Sequence, residues 1–359
     1  MTGHGRARSV LGVAASLVLS ACAAAPAAPA ASAAAPARSV AAATAVPTAT
    51  PAPAPDKVSL RLDFRPTGSQ APFFYALEKG FYKEARLEVT IGDGQSSAST
   101  TQVIGTKGDT FGWADASVVA PNVSKGVPVI MVANVLQQTP TLVISRSDAP
   151  VATPKDLVGK TVGYTFGGSA EQLFTALLAV NQIDATKVKT QNMDAASQPA
   201  AYFSKRVDAL VTSAGTFISI KARAAQEGVS TREMWFADQG VNVLAHGIIV
   251  NTDTLRAQPD LVRRFVAASI RGWTEAGKDP QGAAQALVKN RPEADLAVIR
   301  SQMDKFLTQI HTEKTKTQPI GFQAADDWEA MLAFLAKYGG MSERKPLAAY
   351  FTNDYLPAR

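Results

Sequence analysis

The side chains best suited to chemistry in this sequence follow its predicted strands. After an alternating apolar segment at residues 58–64, the chain carries Phe64, Arg65, Thr67 and Gln70. An aromatic ring can stack on a planar ligand, and an amide can donate and accept hydrogen bonds at once. We therefore expect this loop to form one wall of a ligand site, with Arg65 able to pair with an acid. The competing interpretation makes Phe64 a core residue and Arg65 a solvated charge.

A second pair of candidates, Trp113 and Asp115, follows the strand predicted at residues 110–113. Tryptophan offers an aromatic face together with one N–H donor. Asp115 could accept a hydrogen bond from a ligand amine, although capping of the next helix would explain it equally well. Both residues are predicted to contact ligand from a strand end.

A glycine-rich turn joins a strand predicted at residues 161–164 to a helix predicted at residues 171–181. Its candidate ligand contacts are Tyr164, Gly167, Gly168, Ser169 and Glu171. Glycines in such a turn let the backbone approach a ligand, and the free N–H groups of the helix favour an anion. The competing interpretation is that Ser169 only caps the helix. No Gly-Lys-Ser/Thr follows, which argues against a nucleoside triphosphate.

Five further candidates lie at a strand end and in the segment that returns toward the first strands. They are Thr212, Ser213, Asp238, Asn242 and His246. The two hydroxyls at the strand end could donate hydrogen bonds to a ligand. His246 is one of only 3 histidines, which are too scattered in sequence to indicate a metal site. A packed or hydrogen-bonded role for His246 competes with ligand contact.

The residue sets of common enzymes are missing from this sequence. There is 1 cysteine, Cys22, so no thiolate nucleophile or cysteine metal site is possible elsewhere. The Gly-Xaa-Ser-Xaa-Gly motif of serine hydrolases is also absent. We expect neither a metal nor a cofactor, and no catalytic residues.

Two alternating series of strands and helices would position these candidates. The predicted organisation is a first lobe from residues 56–147, a second lobe from 148–244, and a return to the first lobe with C-terminal helices over 245–359. Short strand-to-helix connections indicate an α/β fold with a largely parallel sheet in each lobe. Because ligands bind beyond the carboxyl ends of such strands, the two sets of candidates should face one cleft.

The N-terminus has the features of an export signal. Arg6 and Arg8 precede an apolar run of about ten residues, too short to span a bilayer, and Leu-Ser-Ala-Cys ends at Cys22. This end resembles the lipobox of bacterial lipoproteins, which implies a signal peptide at residues 1–21 and lipidation of Cys22. Cleavage at a later alanine-rich site is the alternative. Residues 22–55, rich in alanine and proline, are predicted to form a disordered tether.

The charge of the remaining chain is nearly balanced. Residues 1–55 hold three arginines and no acids, which leaves 33 basic against 30 acidic residues in the rest. So small a net charge argues against a nucleic-acid partner. No second segment is long and uncharged enough to span a membrane.

Several segments, in order along the chain, resemble the NMT1/THI5-like group of ABC-transporter substrate-binding proteins. They are LDFRP at residues 62–66, APFFYALEKGFY at 71–82, GDTFGWAD at 108–115, KGVPV at 125–129, KDLVGKTVG at 155–163, VDA at 207–209 and YFTNDYL at 350–356. The resemblance implies a type II periplasmic-binding-protein fold, two α/β lobes with a ligand cleft between them. It also implies a monomer that captures a small planar organic molecule outside the cytoplasm and passes it to the transmembrane subunits of an ABC permease.

Two other functions must be weighed against transport. A ligand-sensing lipoprotein that reports to a receptor would have the same sequence features. A pyrimidine-precursor synthase of the same family uses a cofactor-bearing lysine, a histidine and a cysteine-rich stretch, and their positions fall on Ala114, near Val118 and at residues 240–244. Alanine supplies no amine for a Schiff base. Gln70, where pyrimidine binders carry histidine, leaves the ligand open among pyrimidines, riboflavin, aromatic acids and sulfonates.

Overall fold

The first strand begins where the apolar alternation predicts it. The computed structural model describes residues 54–358, and β1 at Asp56–Arg61 buries Val58 and Leu60. The predicted signal peptide, Cys22 and almost all of the predicted tether lie outside the described residues.

Within residues 54–358, ten strands form two sheets of five strands each. The first sheet has the order β2-β1-β3-β10-β4 and the second the order β7-β6-β8-β5-β9. The remaining strands are β2 Leu87–Gly92, β3 Phe111–Asp115, β4 Val129–Asn134, β5 Thr141–Arg146, β6 Thr161–Tyr164, β7 Lys189–Asn192, β8 Ala209–Ser213, β9 Thr231–Trp235 and β10 His246–Asn251.

Twelve α-helices are found among residues 54–358. Those between strands are α1 Ala71–Glu78, α2 Phe81–Glu84, α3 Ser97–Gly105, α4 Ala116–Ser124, α5 Ser169–Val180, α6 Gln198–Phe203 and α7 Ala214–Gln226. The C-terminal helices are α8 Thr252–Ala257, α9 Pro259–Lys278, α10 Pro280–Asn290, α11 Leu296–Leu307 and α12 Ala325–Tyr338. None of the described helices is long and apolar enough to span a membrane.

The two sheets share one topology. In the first, β1 pairs in parallel with β2 and β3, and β10 is antiparallel to β3 and β4. In the second, β6 pairs in parallel with β7 and β8, and β5 is antiparallel to β8 and β9. The reversed strand of each sheet is therefore the one that arrives from the other lobe.

This exchange of strands corrects one predicted boundary. The first lobe was expected to run to residue 147, but β5 at Thr141–Arg146 is paired within the second sheet. The chain crosses between β4 and β5, and it crosses back between β9 and β10. An apolar strand such as TLVIS fits either sheet, so its pairing could not be read from its composition.

Helix α9 completes the core of the first lobe. Phe265 on α9 stacks on Phe111 of β3, and Trp273 on the same helix stacks on Trp113. Gly272 permits the close approach of α9 to α1, because an added Cβ would lie 2.7 Å from Ala76. This packing fixes α1 and the loop before it, which carries the first predicted ligand residues.

Candidate ligand-binding cleft

A cavity of about 100 Å³, here called the inner cavity, lies between the two lobes. It is lined from both sides, as the two series of strands predict. The predicted residues that line it are Phe64, Arg65, Thr67, Gln70, Gly168, Ser169, Thr212, Ser213 and His246.

The loop before α1 is held in shape by Gln70. The side-chain oxygen of Gln70 accepts from the backbone N–H of Thr67 at 2.8 Å and from its hydroxyl at 3.0 Å. The amide nitrogen of Gln70 donates to Asp63 at 3.3 Å. Gln70 is buried and also lines the inner cavity. Its amide therefore has two roles, because it holds the loop in shape and forms part of the cavity wall.

Three ionisable side chains meet behind this loop. His246, the first residue of β10, lies opposite Asp115 of β3 in the antiparallel ladder. Nε2 of His246 lies 2.7 Å from Oδ2 of Asp63, and Nδ1 lies 3.6 Å from Oδ2 of Asp115. Asp63 lines the inner cavity, whereas the side chain of Asp115 is 1% exposed and lies behind the histidine.

The two carboxylates decide the charge of His246. Burial alone lowers the pKa of a histidine, but the charges of Asp63 and Asp115 and the hydrogen bond to Asp63 raise the pKa of His246 to about 9. Burial raises the pKa of Asp115, against the opposing effects of His246 and Ser117. His246 is therefore a cation at neutral pH, held between two acids.

Asp115 and Trp113 do not reach the inner cavity. Asp115 accepts hydrogen bonds from the backbone N–H and hydroxyl of Ser117, so it caps α4, which was the competing interpretation. Trp113 is fully buried, with its ring 5.7 Å from those of His246 and Trp273. The strand β3 is central and covered on both faces, so alternation along it could not tell cleft from core.

The second lobe presents a chain of neutral groups. The hydroxyl of Thr212 donates to the side-chain oxygen of Gln198 at 2.8 Å, and the amide nitrogen of Gln198 donates to the hydroxyl of Thr165 at 3.0 Å. All three line the inner cavity. We call Thr165, Gln198 and Thr212 the lobe 2 wall, and Asp63, Gln70, Ser97 and His246 the lobe 1 wall.

The glycine-rich turn links the lobes directly. Gly167 has φ +70°, and its carbonyl oxygen accepts from the backbone N–H of Ala98 on α3 at 3.2 Å. Its own N–H donates to the carboxylate of Glu171 at 2.7 Å. Glu171 thus stabilises the turn and does not line the inner cavity, and the N-cap of α5 is Gly168, not Ser169.

Three other predicted residues also lie outside the inner cavity. Tyr164 packs against Phe174. Asp238 is exposed in the 3₁₀ turn Ala237–Gln239, and exposed Asn242 accepts a weak hydrogen bond from the backbone of Thr139. Both belong to the return crossover, whose path around the lobes could not be inferred from sequence order.

Several lining residues were not predicted. Asp63 directly precedes Phe64, and Ser97 and Gln198 begin α3 and α6, so their positions at element ends were a usable signal. Phe306 comes from α11, far along the chain, and no local pattern indicates its place.

The cleft has the groups for binding and lacks the usual groups for covalent chemistry. Its lining contains no lysine or cysteine, and its charged members are Asp63, Arg65 and His246. Among residues 54–358, no hydroxyl is hydrogen bonded to His246, so no serine or threonine is activated by it. No group of three or more described acidic, histidine or cysteine side chains is arranged to hold a metal ion.

The model of the NMT1/THI5-like family matches residues 68–283, which is more than half of the chain. The matched range includes the whole lobe 2 wall and all of the lobe 1 wall except Asp63. The chain belongs to this family. The resemblance read from the sequence is confirmed.

Curated relatives of known name cover most of the chain. A riboflavin-binding protein of Chloroflexus aurantiacus is 28% identical over 85% of this chain and 89% of its own length. A formylaminopyrimidine-binding protein of Halalkalibacterium halodurans is 25% identical over 78% of this chain and 84% of its own length. A 4-amino-5-hydroxymethyl-2-methylpyrimidine phosphate synthase of Legionella pneumophila is 23% identical over 84% and 92%.

Solved structures confirm the predicted fold. The alkanesulfonate-binding protein of Xanthomonas axonopodis pv. citri gives a TM-score of 0.64 at 15% identity, covering 85% of this chain and 99% of that one. A Candida albicans protein described as having the generic periplasmic binding protein fold gives 0.62 at 12% identity, covering 83% and 96%. The chain has the type II periplasmic-binding-protein fold, with two α/β lobes.

Proposed function

We propose that this protein is the lipid-anchored, extracytoplasmic substrate-binding protein of an ABC importer. It captures a small planar organic molecule in the cleft and delivers it to the permease. The observation that carries the proposal is the cavity itself. Phe64 and Phe306 supply aromatic surface, and hydrogen-bonding groups come from both lobes without an activated nucleophile.

Capture requires that the ligand favour one arrangement of the lobes. In the described structure the lobes touch at the Gly167–Ala98 hydrogen bond, and the inner cavity lies between the same two lobes. A ligand that binds both walls has more contacts in this arrangement than in an open one. It therefore shifts the population toward closure, which the two crossover segments would permit as hinges.

The walls favour a neutral heterocycle with N–H donors. Asp63 brings a carboxylate to the cavity, and the lobe 2 wall offers hydroxyl and amide groups that donate and accept. A flavin or an aminopyrimidine has a ring edge with both N–H donors and acceptors. This agrees with the names of the two binding relatives. A sulfonate would meet the Asp63 carboxylate. Of the two cations in the lining, Arg65 and His246, the histidine is already paired with Asp63 and Asp115.

A synthase is the second candidate because one relative over most of the chain carries that name. The cofactor lysine of such an enzyme would fall on Ala114, which is fully buried in β3 beside β10. A receptor-coupled sensor would use the same cleft. Co-purification with a permease, or ligand uptake lost on gene deletion, separates transport from sensing.

The anchor is proposed from residues 6–22, which precede the described residues. Mass spectrometry of the mature protein should find a diacylated cysteine at its N-terminus. The variant Cys22→Ala should release the protein from the membrane fraction. A mature N-terminus beyond residue 22 would contradict the anchor and leave the capture function in place.

Ligand-induced thermal stabilisation tests capture. A panel of flavins, pyrimidines, aromatic acids and sulfonates should contain a compound that raises the melting temperature in a concentration-dependent manner. The same compound should be recovered unchanged after incubation. Chemical conversion of a compound, with none that stabilises, would contradict the proposal.

A further inference from the structure

A second and larger cavity opens beside the inner one. This outer groove has a volume of about 810 Å³, against about 100 Å³ for the inner cavity. The two share lining residues from both lobes, so they adjoin each other. The shared residues are Phe64, Arg65, Gln95, Ser96, Thr165 and Ala195.

The volumes limit how a ligand can lie. Pockets for small organic ligands and cofactors usually measure about 300–1,000 Å³. The inner cavity is smaller than that range, whereas the outer groove lies within it. A ligand of cofactor size must therefore place only part of itself against the two walls and extend into the groove.

Two side chains at the groove suit such an extension. Arg65 is exposed, and its guanidinium has no hydrogen-bond, ion-pair or ring partner among residues 54–358. Phe166 is 69% exposed and lines the outer groove but not the inner cavity. The other strongly exposed large apolar residue of the described chain is Val158, 47% exposed, which lines neither.

We infer that the ligand is an elongated molecule, a ring that carries an oxygen-rich side chain. An edge of the ring enters the inner cavity, and the rest of the molecule lies in the outer groove. There the side chain accepts hydrogen bonds from Arg65, and Phe166 covers its apolar part. This inference rests on the proposed capture function and narrows its substrate class to compounds such as ribityl flavins, excluding compact single rings.

Flavin fluorescence titration tests the inference with a matched pair of ligands. Riboflavin carries a ribityl chain, and lumiflavin has the same ring system with a methyl group in its place. The wild-type protein should bind riboflavin at least tenfold more tightly. Phe166→Ala should weaken riboflavin binding by about fivefold and leave lumiflavin binding unchanged. The control Val158→Ala, another exposed apolar truncation, should change neither.

Equal affinity for the two flavins, or Phe166→Ala without effect on riboflavin, would overturn the inference. Tight binding confined to compact rings such as 4-amino-5-hydroxymethyl-2-methylpyrimidine would overturn it too. Each of these outcomes leaves the proposed capture function standing. Failure of every compound in the panel to bind would overturn both.

Discussion

The two walls of the cleft are built from different chemistry. The lobe 1 wall is organised around buried charges, with His246 held between Asp63 and Asp115. The lobe 2 wall is a neutral chain in which Thr212 bonds Gln198 and Gln198 bonds Thr165. Hydrogen bonds to charged groups contribute about 1.5–3 kcal/mol, against about 0.5–1.5 kcal/mol between neutral groups.

This difference gives the two walls different roles in ligand binding. The lobe 1 wall is pre-organised, because breaking its charge contacts would leave a buried ion without its partner. The carboxylate of Asp63 in this wall determines where a hydrogen-bond donor of the ligand must lie. The lobe 2 wall has weaker contacts that exchange easily for ligand contacts, so it suits the lobe that closes over a bound molecule. Changes to the lobe 1 wall should therefore affect mainly stability, and changes to the lobe 2 wall should affect mainly affinity.

The largest expected effect comes from removing the cation of the lobe 1 wall. His246→Leu leaves two carboxylates facing each other in a buried site, and loss of one partner of such a pair costs about 3–5 kcal/mol. Urea denaturation should show this fall in the free energy of unfolding. The matched control is His311→Leu, because His311 forms no ion pair among residues 54–358, and its loss should be far smaller. Similar values for both variants would contradict a structural role for the charge cluster.

The second effect is a pH dependence of stability. The pKa of His246 is about 9 in the folded chain, above the ordinary histidine value of about 6.5. A raised folded pKa stabilises the protein fully below about pH 6.5, and the contribution disappears as the pH rises through about 9. A shift of this size corresponds to up to about 3 kcal/mol.

Titration of the histidine ring signals by NMR checks this directly. The His246 signal should move with a midpoint near pH 9, and the pH dependence of stability in this window should be absent from His246→Leu. A midpoint at or below about 6.5 would show that the two acids do not hold the proton.

A smaller effect is expected on the other wall. Thr212→Val removes the hydroxyl that orients Gln198, so ligand affinity should fall about fivefold, equivalent to about 1 kcal/mol. The free energy of unfolding should fall by no more than about 1 kcal/mol, the contribution of one neutral hydrogen bond. Thr190→Val, on an exposed position of β7 in the same lobe, is the control and should leave affinity unchanged. Calorimetric titration measures the ligand affinities of the two variants, and urea denaturation measures their stabilities. A loss in the free energy of unfolding larger than the loss in binding free energy would contradict the assignment of the lobe 2 wall to ligand affinity.

The smallest effect concerns the contact between lobes. Gly167 and Gly159 both have positive φ, so alanine at either position should cost about 1 kcal/mol of stability. An added Cβ at Gly167 lies 3.2 Å from the hydroxyl of Ser96 across the cleft, whereas at Gly159 it meets nothing. Gly167→Ala should therefore weaken ligand binding by about threefold, and Gly159→Ala should not. Equal affinities would show that the turn does not act in closure.

Local patterns in the sequence located much of the fold. The C-terminal helices predicted within residues 245–359 include Pro259–Lys278 and Pro280–Asn290, which proline and apolar periodicity mark strongly. The loop from Phe64 to Gln70 was predicted because it follows a clear strand and precedes a helix with proline in its first turn. These features depend on residues close in sequence.

Features that depend on distant residues could not be predicted. The pairing of β5 with the second sheet, the burial of Trp113 under Trp273, and the placement of Phe306 in the cleft all join segments far apart in the chain. The ion cluster is another case. The sequence left His246 open between ligand contact and a packed or hydrogen-bonded role. The ladder between β3 and β10 places it opposite Asp115, and the loop after β1 brings Asp63 to its other side.

A crystal structure with the compound that stabilises the protein most is the most direct test of capture between the lobes. The account predicts density for the unchanged compound in contact with Asp63 and Phe64 on one side and with Gln198 and Thr212 on the other. Density at another surface, or for a chemically altered product, would contradict it.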